Sequence, residues 1–233
     1  MSDAMERLIH AAGSEAAGTM VKYMDAILDK NQYINLTAVT DRDEFIVKHI
    51  LDSLSCVNSQ EWKNASRIVD IGTGAGFPGV PLAVFSPDKN FLLIDSSQKK
   101  LKVIDEITGL LGIRNVKTLH IRAEDAGQIE EYREKFDICV SRAVSSLNVL
   151  AEWCLPLVKK NGTFVSYKGG KAGQELEDAK KAIQILGGKV DRVEKADLSS
   201  EDADNHMLIY INKVKNTPKK YPRKPGIARK NPL

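Results

Sequence analysis

The apolar positions of the chain fall into two regimes that meet near residue 60. In the first, helical spacing dominates. Leu8, Ile9 and Ala12 share one face, and Met20, Tyr23, Met24, Ile27 and Leu28 recur at the same interval. Asp41 stands where an N-cap would precede a further helix carrying Phe45, Ile46, Ile50 and Leu54. Residues 3 to about 60 therefore read as helical. From Arg67 onward, short apolar runs rich in branched residues alternate with helical segments. Strands are predicted over 67–71, 90–95, 116–121, 136–141 and 162–167, then over 189–193 and 207–214. Helices are predicted over 97–111, 147–159 and 173–186. Alternation of this kind needs crossover connections, and right-handed crossovers give a parallel sheet covered on both faces. No crossover helix separates the last two strands, so they should form an antiparallel hairpin at one side. The expected fold is a doubly wound, mostly parallel, seven-stranded α/β sheet. A helical cap over 1–60 precedes the main unit over 61–214, and a basic arm over 215–233 follows it.

Composition narrows the setting. In 233 residues, 42% are hydrophobic and 28% charged, enough to build a core. No stretch approaches the ~18 uncharged apolar residues of a membrane span. The first residues mix acidic and basic side chains and lead into no apolar signal core, so a cytoplasmic protein is expected. Cys56, Cys139 and Cys154 are too few and scattered for a disulfide framework or zinc cluster, and read as small core residues. Charge is uneven: residues 1–212 carry a net −5, whereas 213–233 hold eight basic residues and no acidic one. A basic arm on an acidic body suits a polyanionic partner, or else a solvated tail. Pro218, Pro222, Pro225 and Pro232 predict that the arm is extended, without regular helix, over a surface.

The most informative stretch runs from Val69 through Asp70, Ile71, Gly72, Thr73, Gly74, Ala75, Gly76, Phe77 and Pro78 to Gly79. An apolar strand runs into closely spaced glycines and then a helix. Glycines there let a ligand approach the backbone without meeting a Cβ atom. Gly74, Gly76 and Gly79 fit the dinucleotide fingerprint, while Gly72, Gly74 and Gly76 with Asp70 fit the first motif of S-adenosylmethionine-dependent methyltransferases. The second register is better, because its first glycine follows the strand directly and Phe77 and Pro78 crowd the approach a pyrophosphate would need. Asp95, at the end of the second strand, can accept both ribose hydroxyls of either cofactor or can cap the helix beginning near Ser97. Glu124, after the third strand, stands where a loop passes an adenine edge, or is surface.

The glycine stretch resembles the signature of the GidB (RsmG) family of small-subunit ribosomal RNA guanine-N7 methyltransferases. The segments 35–39 (Asn35 to Val39), 49–54 (His49 to Leu54), 141–144 (Ser141 to Val144) and 215–223 (Lys215 to Arg223) match along nearly the whole chain. The resemblance implies a cytoplasmic enzyme that uses S-adenosyl-L-methionine to methylate N7 of guanine 527 in the 530 loop of 16S ribosomal RNA, free or within a small-subunit assembly particle. It also implies cofactor contacts from Gly72, Phe77, Ala123, Glu124 and Arg142. Gly74, Gly76 and Asp95 belong to the same pocket by the logic of the wider superfamily, with Ser96 and Ser97 beside it. A monomer is the default expectation, with no metal and no membrane contact.

Guanine N7 has a free lone pair and no proton to lose, so methyl transfer to it needs no general base. The four histidines lie in four different segments, and no nucleophile-and-base spacing is evident. Alignment of N7 with the methyl group is then the main source of rate. Arg142, just past the fourth strand, is expected beside both cofactor and target base, the alternative being a buried ion pair. Lys168, just past the fifth strand, is expected to hold the guanine or its phosphate, the alternative being a solubilising loop residue. His49, Asp52 and Ser53 share a predicted helix face, read as docked on the main unit and near the RNA channel, with Asn35 on the same rim. Two other classes compete: a nicotinamide-dependent oxidoreductase resting on Gly74, Gly76 and Gly79, and a non-catalytic RNA-binding assembly factor.

Overall fold

The computed structural model describes residues 1–196 and 206–233. Its N-terminal part holds α1 (Asp3–Ala12), α2 (Ser14–Asn31), α3 (Arg42–Phe45), a π-helical stretch (Ile46–Leu51), α4 (Asp52–Leu54) and α5 (Gln60–Asn64). Asp41 caps α3 by accepting the Glu44 N–H at 2.9 Å. Residues 32–41, inside the region that reads as helical, form a loop. Asn31 holds it there: its side chain accepts the N–H groups of Leu36 and Thr37 and donates to the Thr37 carbonyl. The π-helical register adds a residue per turn, so His49 and Asp52 do not follow plain α spacing.

The remainder alternates as expected: β1 (Arg67–Ile71), α6 (Gly79–Phe85), β2 (Asn90–Asp95), α7 (Gln98–Leu110), β3 (Val116–His120), α8 (Ala123–Ala126), β4 (Phe136–Arg142), α9 (Leu147–Cys154), β5 (Val158–Lys168), α10 (Ala172–Ile185), β6 (Gly188–Lys195) and β7 (Met207–Lys213). The strand order is β3-β2-β1-β4-β5-β7-β6. β1 to β5 pair in parallel, and β7 lies antiparallel between β5 and β6. The last two strands do form the antiparallel hairpin, although β7 folds back so that β6 becomes the edge. The ninth helix stops at Cys154 rather than reaching residue 159. Pro156 cannot donate to the ladder and disfavours helical backbone before it, which leaves the chain free to begin β5 at Val158.

Both faces of the sheet are covered. On one side α1, α2, α6 and α7 pack on inward residues of β1, β2 and β4, with Leu8, Met24, Ile27, Ile68, Leu93 and Val140 fully buried. Each such large side chain removed from water is worth about 1.5–3 kcal/mol, which fixes the N-terminal helices as a layer of the core. On the other side lie α8, α9 and α10 with Cys139 and Cys154, while Cys56 packs on the first side; all three cysteines are free and buried.

The C-terminal arm departs from expectation. A one-turn helix, α11 (Ile227–Lys230), fits between Pro225 and Pro232, so neither ring interrupts it. The arm is also packed. Arg223 donates to the buried Glu152 carboxylate through its backbone N–H and its guanidinium. Lys213, where the basic run starts, is fully buried and donates to the Leu155 and Val158 carbonyls and to Thr217, beside Glu134. Burial pushes its ammonium down to about 8 against the pull of Glu134. The exposed charge is thus Lys215, Lys219, Lys220, Lys224, Arg229 and Lys230.

Candidate active site

The chain passes from β1 to β2 and β3 on one side of the sheet, then returns to β4 and β5 on the other. The crevice beyond the C-terminal ends of β1 and β4 is therefore the switch point where open α/β sheets bind ligands. Gly72, Gly74 and Gly76 turn the chain there with φ of 72°, 60° and 90°, a region that side chains rarely adopt. A Cβ at Gly72 would lie 2.5 Å from Val144, and one at Gly76 2.4 Å from the Tyr23 hydroxyl. At Gly74 a Cβ would meet nothing nearer than 4.0 Å, so its absence leaves open space on the crevice side. Asp95 ties β2 to this turn: one carboxylate oxygen accepts the Gly74 N–H at 2.9 Å, the other the Ser97 N–H at 2.8 Å. It therefore braces both the turn and the start of α7 while standing on the crevice wall.

The crevice is a cavity of about 540 Å³. Its floor is Gly72, Thr73, Gly74, Ala75 and Phe77; one wall is Asp95, Ser96, Ala123 and Glu124, and the opposite wall Arg142, Ala143 and Val144. The loop residues Leu36, Thr37 and Ala38 and the arm residues Gly226 and Arg229 close it further. Glu124 is buried, not surface, and accepts the Gly226 N–H at 3.0 Å. Two acceptor carboxylates, exposed backbone and an apolar floor suit a nucleoside. A pyrophosphate finds no free donor at the start of α6: the Gly79 N–H goes to Asp70 at 2.9 Å, the Val80 N–H to the Gly76 carbonyl and the Leu82 N–H to the Pro78 carbonyl, and Pro81 has none. Burial pushes the Asp70 carboxyl up to about 7.

A second cavity, about 400 Å³, adjoins the first and shares His49, Arg142 and Ala143 with it. Arg142 donates to Asp52 at 2.6 Å and to the Lys48 and His49 carbonyls, and lies 5.7 Å over the Phe77 ring. Asp52 is buried and Arg142 only slightly exposed, so Arg142 is at once a structural partner and a wall of both cavities. Burial would raise the Asp52 carboxyl, but the hydrogen bond with His206 and the charge of Arg142 hold it below the ordinary range. His49 stacks on Phe77, with ring centroids 5.1 Å apart, and its Nε2 lies 2.8 Å from the Thr37 hydroxyl. Burial, with Arg142 adjacent, pushes its imidazole down to about 4. Lys168 is buried, not a solubilising loop residue: it donates to the Ser145 carbonyl and pairs with Glu175 at 2.7 Å, on the wall of the second cavity.

The profile of one family, described as rRNA small subunit methyltransferase G, matches residues 17–206. The chain is 46% identical over 213 residues to the ribosomal RNA small subunit methyltransferase G of Clostridium novyi, covering 91% of this chain and 87% of that one. Against the protein of the same name from Alkaliphilus metalliredigens the identity is 46% over 215 residues, covering 92% and 89%. The chain belongs to the rRNA small subunit methyltransferase G family. It is an S-adenosylmethionine-dependent rRNA methyltransferase, which removes the oxidoreductase reading. Solved structures agree in fold: M. jannaschii TYW2 in complex with AdoMet superposes with a TM-score of 0.53 at 18% identity, covering 70% of this chain and 74% of that one. The ribosomal protein L11 methylase of Lactobacillus delbrueckii gives 0.53 at 17%, covering 71% and 78%.

Within this methyltransferase, Gly72, Gly74, Phe77, Asp95, Ala123, Glu124 and Arg142 all face the first cavity. Gly76 and Ser97 lie behind its wall, Gly76 against Tyr23 and Ser97 under Asp95. Lys168 faces only the second cavity, and Asn35 neither, although its neighbours Leu36 and Thr37 line the first. The face of His49, Asp52 and Ser53 is docked, as read, with Asp52 and His49 on the second cavity. Sequence reasoning missed Trp153, Gly226 and Arg229, which come from elements far apart in the chain.

Proposed function

We propose that this enzyme methylates N7 of a guanine in 16S ribosomal RNA, guanine 527 in the 530 loop, in the cytoplasm. The observation that carries this reading is the junction of the two cavities, where the titratable groups that both cavities meet or that pair with them, Arg142, Asp52 and His49, are already engaged. Arg142 is tied to Asp52; both Asp52 oxygens have partners; and His49 is a weak base beside Thr37. A hydroxyl, amine or carbon acceptor would need a proton removed there, whereas N7 does not.

S-adenosylmethionine, held by Gly72, Gly74, Asp95 and Glu124 in the first cavity, would supply a methyl group on a positively charged sulfur. The chain's own residues then orient the acceptor. Arg142, planar and fixed by three acceptors, stands where it can donate to guanine O6 while N7 faces the first cavity. Phe77 and His49 make an aromatic floor at the junction and exclude water from it. Outside, the exposed Lys215, Lys219, Lys220, Lys224 and Lys230 of the arm suit the phosphates of the surrounding RNA. Mapping methylated nucleotides in 16S RNA from cells with and without the protein tests the proposal. Loss of one N7-methylguanine in the 530 loop supports it, and an unchanged map overturns it.

A further inference from the structure

The second cavity carries a feature that methyl transfer itself does not need. Glu175, in the first turn of α10, faces this cavity with a side chain 28% exposed. Its Oε2 is fixed twice: it accepts the Leu147 N–H at 2.8 Å and the buried Lys168 ammonium at 2.7 Å. Among the described residues, Oε1 has no hydrogen-bond partner. The other carboxylate on this wall, Asp52, has Arg142 on one oxygen and His206 on the other. Lys168 is committed as well, because it also donates to the Ser145 carbonyl at 2.7 Å. Among the described residues, the cavity thus presents one rigidly held carboxylate with an open acceptor oxygen.

The base dictates what such an acceptor can read. On guanine, N7 and O6 are acceptors on the Hoogsteen edge, while N1–H and the N2 amino group are donors on the Watson–Crick edge, which continues past O6 away from N7. If N7 faces the first cavity and O6 faces Arg142 at the junction, the donor edge turns away from the junction, toward the body of the second cavity. We propose that Glu175 is a specificity-determining residue: its carboxylate accepts from the N1–H and N2–H donors of the target guanine, and Lys168 is the positioning residue that holds it in place. Adenine offers an acceptor at N1 and no amino group at C2, so it would leave this carboxylate facing a lone pair. This inference rests on the guanine-N7 reading above and adds to it a reader for the far edge of the base.

Inosine separates the two ideas, since it keeps N7, O6 and N1–H and lacks only the N2 amino group. Small-subunit particles are reconstituted around 16S RNA with guanosine or inosine at the methylated position. Wild-type and Glu175→Gln proteins are compared in kcat/KM and in RNA affinity with S-adenosylhomocysteine bound. Wild type should favour guanosine over inosine by about tenfold or more. Glu175→Gln should lose a similar factor on guanosine, distinguish the two bases by less than about twofold, and bind S-adenosylhomocysteine as wild type does. Glu175→Asp, which keeps the charge, should restore part of the preference and guards against misfolding of the amide variant. A Glu175→Gln protein that keeps the wild-type ratio, at any absolute rate, overturns the inference, because a merely structural role lowers both substrates together. A wild type indifferent to inosine overturns it too. Failure of the N7 reading would look different: the product would not be N7-methylguanine, while the affinity ratio would still report on Glu175.

Discussion

Replacing Gly76 by alanine probes the link between the glycine turn and the N-terminal layer. Gly76 has φ +90°, and a Cβ there would lie 2.4 Å from the Tyr23 hydroxyl and 2.7 Å from Val80. Tyr23 cannot swing away easily: it is fully buried, and its hydroxyl donates to the Ala75 carbonyl at 2.9 Å. Left-handed backbone costs a non-glycine residue about 1–2 kcal/mol, and forcing a carbon into a packed core costs about 1–3 kcal/mol. The expected destabilisation is about 2–5 kcal/mol. For a chain of this size, that is a fall in Tm of about 4–20 °C. Tyr23→Phe alone should cost about 1 kcal/mol for the lost hydrogen bond. In the double variant the nearest clash is gone but Val80 remains, so the two costs should sum to less than the separate values. Thermal and urea unfolding of the four proteins closes the cycle. A Gly76→Ala protein within about 0.5 kcal/mol of wild type, or strictly additive costs, would refute the argument that packing against Tyr23 makes glycine necessary there.

The buried ion pair gives a second expectation. Asp52→Asn leaves Arg142 without its charge partner and should destabilise the fold by about 3–5 kcal/mol, read by denaturant titration. Protonation of His49 gives a third. In the unfolded chain it takes up a proton near 6.5, in the folded protein only near 4, so stability present above the unfolded value is lost as pH falls through that window. Relative to His49→Gln, wild type should therefore lose stability between pH 6.5 and 4; parallel curves would count against the burial argument. The arm gives a fourth. Glu152→Gln weakens the grip on Arg223, and S-adenosylhomocysteine affinity should fall several-fold in calorimetry because Gly226 and Arg229 line that cavity. Unchanged affinity would mean that the arm does not shape the cofactor site.

Periodicity and turn chemistry were enough to place the strands within a few residues, name the sheet type and find the glycine turn. These are local properties: alternation, β-branching and a run of glycines after an apolar strand carry their meaning within ten residues. Pro156 shows the limit even there, since a plausible helical pattern over 147–159 was cut by one ring. What the tertiary structure decided was which distant groups meet. Nothing near Arg142 in the chain announces Asp52, 90 residues earlier, and nothing near Glu124 announces Gly226, 102 residues later. The arm read as free positive charge, yet Lys213 and Arg223 are spent on internal acceptors. Charge written in a sequence is only potential; burial and the partner brought by the fold decide whether it stays in the structure or is offered to RNA.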